Sequence, residues 1–304
     1  MTGPTASPVS PWTDRLELGE GARWVDGRLV LVDILTGRLL AGGGPAGTSL
    51  EILAELDVPL GAVAPIHGAP GTWIAAAGTG VCILTGTEKD TAHVNWIGHV
   101  AAGSTEASSG AMRVNDAAAD AAGRFWFGTM AYDAAEDAGS LYRVDRDGTI
   151  TRVLERITIP NGPAFTEDGT TMYLADSARG LVRRHRVDPR TGELGEPELF
   201  ADFADVPGAP DGMTVDREGG VWIACWGGGA VRRYLPDGTP DRVVELPAAQ
   251  PASVCLGGPD GRLLHVTTAA HGLNPAGAHD GAVFTIPVDV PGFPAAAFRS
   301  EVER

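Results

Sequence analysis

Residues 209–226 read "APDGMTVDREGGVWIACW", and fifty positions earlier residues 159–177 read "IPNGPAFTEDGTTMYLADS". The two stretches share one plan. Pro is followed by Asn or Asp and then Gly, next comes a turn with acidic residues and Gly, and then a run of β-branched and aromatic residues. Such a run, bounded by Gly and Asp, is a strand by pattern. Asp211 in one copy stands where Asn161 stands in the other. A chain that repeats itself at this spacing is built from supersecondary units.

The unit recurs along the chain. "DGRLVLVDI" occupies 26–34, "GTWIAAAG" 71–78, "AGRFWFGTM" 122–130 and "DGRLLHVTTA" 260–269, besides the two copies above. The marker glycines Gly27, Gly71, Gly123, Gly169, Gly219 and Gly261 lie 44, 52, 46, 50 and 42 residues apart. A second glycine-led strand follows each copy, as in "GSLYRV" at 139 and "GAVFTIPV" at 281. Several short strands per 40–50 residues is the signature of a β-propeller. The pattern therefore predicts an all-β, six-bladed β-propeller as a single domain over 12–304, with residues 1–11 a loose tail. The segment "RLELG" at 15–19 is expected to add the outer strand of the last blade and so close the ring. Trp73, Trp126 and Trp222 are read as core between blades. The pairs Arg183–Arg184 and Arg232–Arg233 are read as a solvated face.

Composition agrees with many turns and a large core. The 304 residues include 42 glycines and 22 prolines, and 43% are hydrophobic. The net charge of −16 argues against nucleic acid or an anionic membrane surface as a partner. No apolar run approaches a membrane span, and "MTGPTASPVSPW" lacks the features of a signal peptide. Cys82, Cys225 and Cys255 read as buried thiols, and the expected location is the cytoplasm. A ring needs no partner to cover its edges, so a monomer or weak homo-oligomer is expected.

Counting back seven or eight residues from each marker glycine gives Glu20, Val63, Asn115, Asn161, Asp211 and Ser253. Equivalent positions in a radial repeat converge on one end of the central channel. Five of these six carry a side-chain oxygen, and a buried polar group without a partner costs roughly 1–3 kcal/mol. A shared cation is the simplest partner for such a ring, making an axial metal site. Glu20, Asn161 and Asp211 supply hard oxygen donors, which suit Ca²⁺, Mg²⁺ or Mn²⁺. Taken singly, "PNG" and "PDG" are turn signals, and Asp or Asn there commonly bonds its own backbone. His271 and His279 flank a loop, "HGLNPAGAHD", that either overhangs the site or faces solvent.

Four ordered motifs, "LGEGARWVDGRLVLVDI", "RVNDAAADAAGRFWFGTM", "IPNGPAFTEDGTTMYLADS" and "APDGMTVDREGGVWIACW", resemble the senescence marker protein (SMP-30, regucalcin), gluconolactonase and luciferin-regenerating enzyme family over about residues 14–290. The resemblance implies a six-bladed propeller with one divalent cation held by Glu20, Asn161 and Asp211. It implies hydrolysis of sugar lactones, with Arg113 and Asn115 of "MRVNDAAAD" and Asp133 after "GTM" binding substrate. Ala117 after "ND", Asp133 in place of a longer Glu, and Trp226 in "ACW" depart from the family pattern and bear on which sugar is taken.

The expected chemistry is a cation-polarised carbonyl attacked by water, with Asp211 or a neighbouring carboxylate as base. Calcium comes first among the candidate ions, with Mg²⁺, Mn²⁺, Fe²⁺ or Zn²⁺ also admissible. The competing readings are a non-catalytic calcium-binding regulator, an interaction scaffold, and an esterase or organophosphate hydrolase using the same site. Arg113 and Asn115 favour the enzyme, because a cation buffer needs no substrate clamp.

Overall fold

In the computed structural model, residues 10–44, 47–87, 92–100 and 110–301 are described. They form six four-stranded antiparallel sheets arranged as the blades of a β-propeller. Blade 1 holds β2 (Gly19–Val25), β3 (Arg28–Asp33), β4 (Arg38–Gly44) and β5 (Gly47–Glu55). Blade 2 holds β6 (Leu60–Ile66), β7 (Ala69–Ala77), β8 (Gly80–Thr85) and β9 (His93–His99). Blade 3 holds β10 (Met112–Ala119), β11 (Phe125–Ala131), β12 (Gly139–Val144) and β13 (Ile150–Ile157). Blade 4 holds β14 (Pro160–Phe165), β15 (Thr171–Asp176), β16 (Leu181–Arg186) and β17 (Glu198–Asp202). Blade 5 holds β18 (Ala209–Val215), β19 (Val221–Trp226), β20 (Ala230–Tyr234) and β21 (Pro240–Glu245). Blade 6 holds β22 (Pro251–Gly257), β23 (Leu263–Thr268) and β24 (Phe284–Pro287), completed by β1 (Ser10–Pro11).

The ring closes where Ser10 and Pro11 pair with Thr285 and Phe284. The closing strand thus lies inside the predicted tail, and "RLELG" does not supply it. That segment leads directly into β2, tied to blade 6 by a bridge between Leu18 and Ala269. The reason is spacing: Leu16 and Leu18 are buried, so this stretch packs at the seam of blades 6 and 1 and cannot reach the outer edge.

The core is a set of seams between blades. Val30, Val32 and Leu39 of blade 1 meet Val63, Trp73 and Ala75 of blade 2. Trp126 and Leu141 of blade 3 meet Met172 and Leu174 of blade 4. The second strand of each blade is apolar on both faces, because each face covers a different neighbour; β11 is buried along its whole length. Outer strands such as β21 alternate with solvent instead. The three tryptophans are core, as predicted, but not equivalent. Trp73 faces the preceding blade, whereas Trp126 and Trp222 face the following one. Trp73 lies one residue nearer its marker glycine, and one residue is enough to reverse the face of a strand.

Arg233 overturns its predicted solvated position. It is buried, and its guanidinium pairs with Asp216, Glu218 and Asp241. Cys82, Cys225 and Cys255 are free and buried, as expected. Among the described residues, no helix is long and apolar enough to cross a membrane.

Candidate active site at the mouth of the central channel

Each inner strand carries one extra residue near its start. The ladder shifts between Glu20 and Arg23, Val114 and Ala117, Asn161 and Ala164, and Pro210 and Met213. Blades 2 and 6 shift between Leu60 and Ala62 and between Pro251 and Ser253. A bulge frees its residue from the ladder and re-aims the chain. It explains why polar residues sit at the start of otherwise apolar inner strands: Glu20, Asn115, Asp116, Asn161 and Asp211 lie at these bulges, all buried. The neighbouring backbones come close. A Cβ on Gly61 of β6 would lie 2.0 Å from the carbonyl oxygen of Asn115, so blade 2 can approach only with glycine there.

The approach to the inner strand is clipped in two blades by the same device. The Asp33 carboxylate accepts the N–H groups of Glu17 and Leu18, and the Asp176 carboxylate those of Thr158 and Ile159. Both aspartates end the second strand of their blade, so they hold the segments that carry Glu20 and Asn161.

A cavity of about 450 Å³ opens at this end of the channel. Arg113, Asn115, Asn161 and Asp211 lie at its polar floor, with Ser177 beside them. Arg113 Nη1 donates to Asn115 Oδ1 at 2.7 Å and to the Val114 carbonyl at 2.8 Å. Asn115 Nδ2 donates to Asn161 Oδ1 at 2.7 Å and to the Pro160 carbonyl at 2.9 Å. Asn161 Nδ2 donates to the Ser177 hydroxyl, which donates to the Pro210 carbonyl. Blades 3, 4 and 5 are therefore joined by one chain of hydrogen bonds across the floor.

The carboxylates are treated differently. Asp211 Oδ1 is buried and has no hydrogen-bond partner. Glu20 accepts one backbone N–H, from Gly21 at 3.1 Å. Burial, and then the nearby Asp116 charge, push the Glu20 carboxyl up to about 8. Burial, then Glu20 and Asp116, hold Asp211 well above the usual carboxylate range. Asp116 is also raised by burial, against the pull of Arg23 and the N–H groups of Ala117 and Gly162. Burial works against the Arg113 charge, while Tyr132, Glu20 and Asp211 favour it. Charges of one sign, dried and crowded, are the setting in which a cation is stabilised. Among the described residues, no three His, Cys, Asp or Glu side chains cluster as a metal site; this floor mixes carboxylates with amides.

Of the residues singled out from sequence, the structure brings Arg113, Asn115, Asn161 and Asp211 to one cavity. Glu20 is not on its wall but is buried close enough to Asp211 to raise it. Ser253 joins no shared centre; its hydroxyl accepts the Ala22 N–H at 3.0 Å and links blade 6 to blade 1. Asp133 is exposed, accepts the Ala135 N–H, and is not among the cavity residues. Its neighbour Tyr132 is there instead, with the Arg113 guanidinium 5.9 Å from its ring centroid. His271 lines the cavity, 3.7 Å from the Glu17 carboxylate. Ser177 and Tyr132 escaped the sequence reading. It counted from the inner strands, and these two lie just past the ends of second strands.

The sequence pattern of the SMP-30/Gluconolactonase/LRE-like region matches residues 18–270. The chain is 35% identical over 295 residues to the pentonolactonase XacC of Haloferax volcanii, covering 94% of this chain and 95% of that protein. A luciferin-regenerating enzyme superposes with a TM-score of 0.88 at 26% identity, covering 97% of this chain and 100% of the other. The regucalcin of Agrobacterium tumefaciens, a calcium-binding protein, superposes at 0.85 with 29% identity, over 97% of this chain and 99% of that one. With its blades, its bulged inner strands and its sequence in agreement, this chain belongs to the SMP-30/gluconolactonase/LRE-like family.

Proposed function

We propose that this protein is a hydrolase that opens sugar lactones to their hydroxy acids, using one divalent cation held by Glu20, Asn161 and Asp211. The observation that carries the reading is the buried Asp211 Oδ1 without a partner, beside a second raised carboxylate, on the floor of a cavity that also holds Arg113. Two carboxylates and an amide oxygen form a hard donor set that fits Ca²⁺, with Mg²⁺, Mn²⁺, Fe²⁺ or Zn²⁺ as substitutes. The calcium binding named for the Agrobacterium relative supports calcium first. The pentonolactonase name of the Haloferax relative supports the lactone.

When bound, the cation would polarise the ester carbonyl and stabilise charge developing on its oxygen. The chain's own groups do the rest. Arg113 presents the N–H groups that Asn115 and Val114 do not use, holding the substrate carbonyl or hydroxyls. Asn115 is fixed by Arg113 and Pro160, so it orients Asn161. Water attacks the carbonyl carbon, the ring C–O bond breaks, and the ring oxygen leaves as a hydroxyl. Asp211 takes the proton of the attacking water and returns it to the leaving ring oxygen. Asp133 would bind substrate only through its outer edge, given its exposed position.

The test is proton release from a panel of aldonolactones, with and without chelator, in wild type and Asp211→Ala. A rate that chelator abolishes, calcium restores and Asp211→Ala lacks is expected. A chelator-resistant rate, or none on any lactone, would sink the reading.

A further inference from the structure

The turn that carries His271 is fastened on both sides. The His271 N–H donates to the Glu17 carbonyl at 2.9 Å, beside the Ala270 N–H at 3.1 Å. The His271 carbonyl accepts the side-chain amide of the buried Gln250 at 2.9 Å. Glu17 is itself held, because its N–H donates to the Asp33 carboxylate at 3.0 Å. The main chain of His271 is thus fixed at the seam of blades 6 and 1, while its imidazole stays half exposed and lines the cavity. Behind the imidazole, the Glu17 carboxylate lies 3.7 Å from Nδ1. A carboxylate on that side favours the proton on Nδ1 and leaves Nε2 as a free acceptor.

The ring determines what this acceptor meets. The inner strands follow one another in chain order around the channel, so blade 6 faces blade 3 across it. Arg113 and Asn115 reach the cavity from blade 3, and Asn161 and Asp211 from blades 4 and 5. The N–H groups that Arg113 keeps free serve the lactone carbonyl and the hydroxyls nearest to it. A sugar lactone held there by its ester points its far end toward blade 6. In an aldonolactone that end is the short carbon chain attached to the ring, which finishes in a hydroxyl. An O–H that leaves water needs a new acceptor.

We infer that His271, oriented by Glu17, selects sugar lactones by the terminal hydroxyl of the chain attached to the ring. The inference rests on the lactonase reading and adds to it a specificity-determining residue, with Glu17 as its positioning residue. Nε2 accepts the terminal O–H, and Glu17 keeps the imidazole turned to it through Nδ1. Both residues act on which lactone is taken, and the bond-breaking step stays with the floor.

The experiment measures kcat/KM with calcium for D-xylono-1,4-lactone and D-galactono-1,4-lactone, each beside the counterpart that lacks only the terminal hydroxyl. The pair turned over faster is scored by its ratio of hydroxylated to deoxy substrate. Both members of a pair meet the same enzyme, so a change in fold or metal occupancy scales both rates and cancels. Wild type should favour the hydroxylated member by about tenfold. His271→Ala should bring the ratio to within roughly twofold of one. Glu17→Ala should lower it about threefold, and Glu17→Gln, which keeps an acceptor for Nδ1–H, should retain most of it. A wild-type ratio near one, or a ratio that His271→Ala leaves unchanged, overturns the inference and leaves the lactonase reading standing. An unchanged ratio in Glu17→Ala removes Glu17 from the device and overturns its positioning role. Failure of every lactone, with or without calcium, overturns the lactonase reading and the inference together.

Discussion

The two ends of a blade treat a buried carboxylate in opposite ways. At the hairpin end of blade 5, Asp216 accepts the N–H groups of Glu218 and Gly220, the Trp222 indole N–H at 2.8 Å and the Arg233 guanidinium at 2.7 Å. Asp120 does the same in blade 3, taking the Arg124 N–H and guanidinium and the Trp126 indole. At the cavity end of the same strands, Asp211 keeps an oxygen with no partner and Glu20 has one N–H. A carboxylate that is fully hydrogen-bonded is a fastening. One left dry and unpaired has a cost in the metal-free fold that a bound cation or a proton removes. Strain of this kind at one end and saturation at the other separates the site from the scaffold.

The sharpest way to break this contrast is to delete each carboxylate in turn. Asp211→Ala should reduce lactone turnover on the order of a thousandfold or more, as loss of a base and ligand does. It should leave the thermal melt of the metal-free protein unchanged or raised. A melt that drops sharply would show that Asp211 is a fastening after all. Asp216→Ala should act in reverse. It leaves the Trp222 N–H without its acceptor and takes one of three carboxylates from the buried Arg233, which keeps Glu218 and Asp241, so urea unfolding should show a loss of about 1–3 kcal/mol, while the folded enzyme keeps its turnover per site.

The third test uses pH. Glu20 rises from an ordinary 4.5 to about 8 in the fold, so between those values the folded metal-free protein holds more protons than the unfolded chain. Its stability therefore falls as pH rises through that window, and Asp211 pushes in the same direction. The loss should be on the order of a few kcal/mol in chelator and should vanish with saturating calcium. Melts at pH 5 and 8.5, with and without calcium, decide it. The smallest effect is expected from Ser177→Ala. It frees Asn161 Nδ2 and should weaken calcium binding about tenfold by calorimetry, with little change in unfolding.

Much of the ring was legible because its logic is local. Marker glycines and alternating runs define turns and strands, and repetition multiplies the signal six times. The floor was legible for the same reason: Asn115, Asn161 and Asp211 share an offset, and each stands within or at the edge of the bulge there. Ser253 shares it too, but in blade 6 the adjacent backbone N–H of Ala22 satisfies the hydroxyl first. Arg233 was misread because its alternation matches a solvated strand, while three acidic partners reach it from the hairpin turn and from β21. The closing strand was misplaced because two residues of main-chain pairing leave almost no side-chain signature.

The sequence by itself determined the repeat, the number of blades and the shared offset that brings Asn115, Asn161 and Asp211 to one cavity. Those follow from strand period and turn chemistry, which act over a few residues. Only the tertiary structure decided that Asp211 Oδ1 is left without a hydrogen-bond partner and that Tyr132 rather than Asp133 lines the cavity. These depend on which blades abut and on which N–H groups arrive from elsewhere in the chain. Contacts across forty residues or more leave no pattern within any one segment.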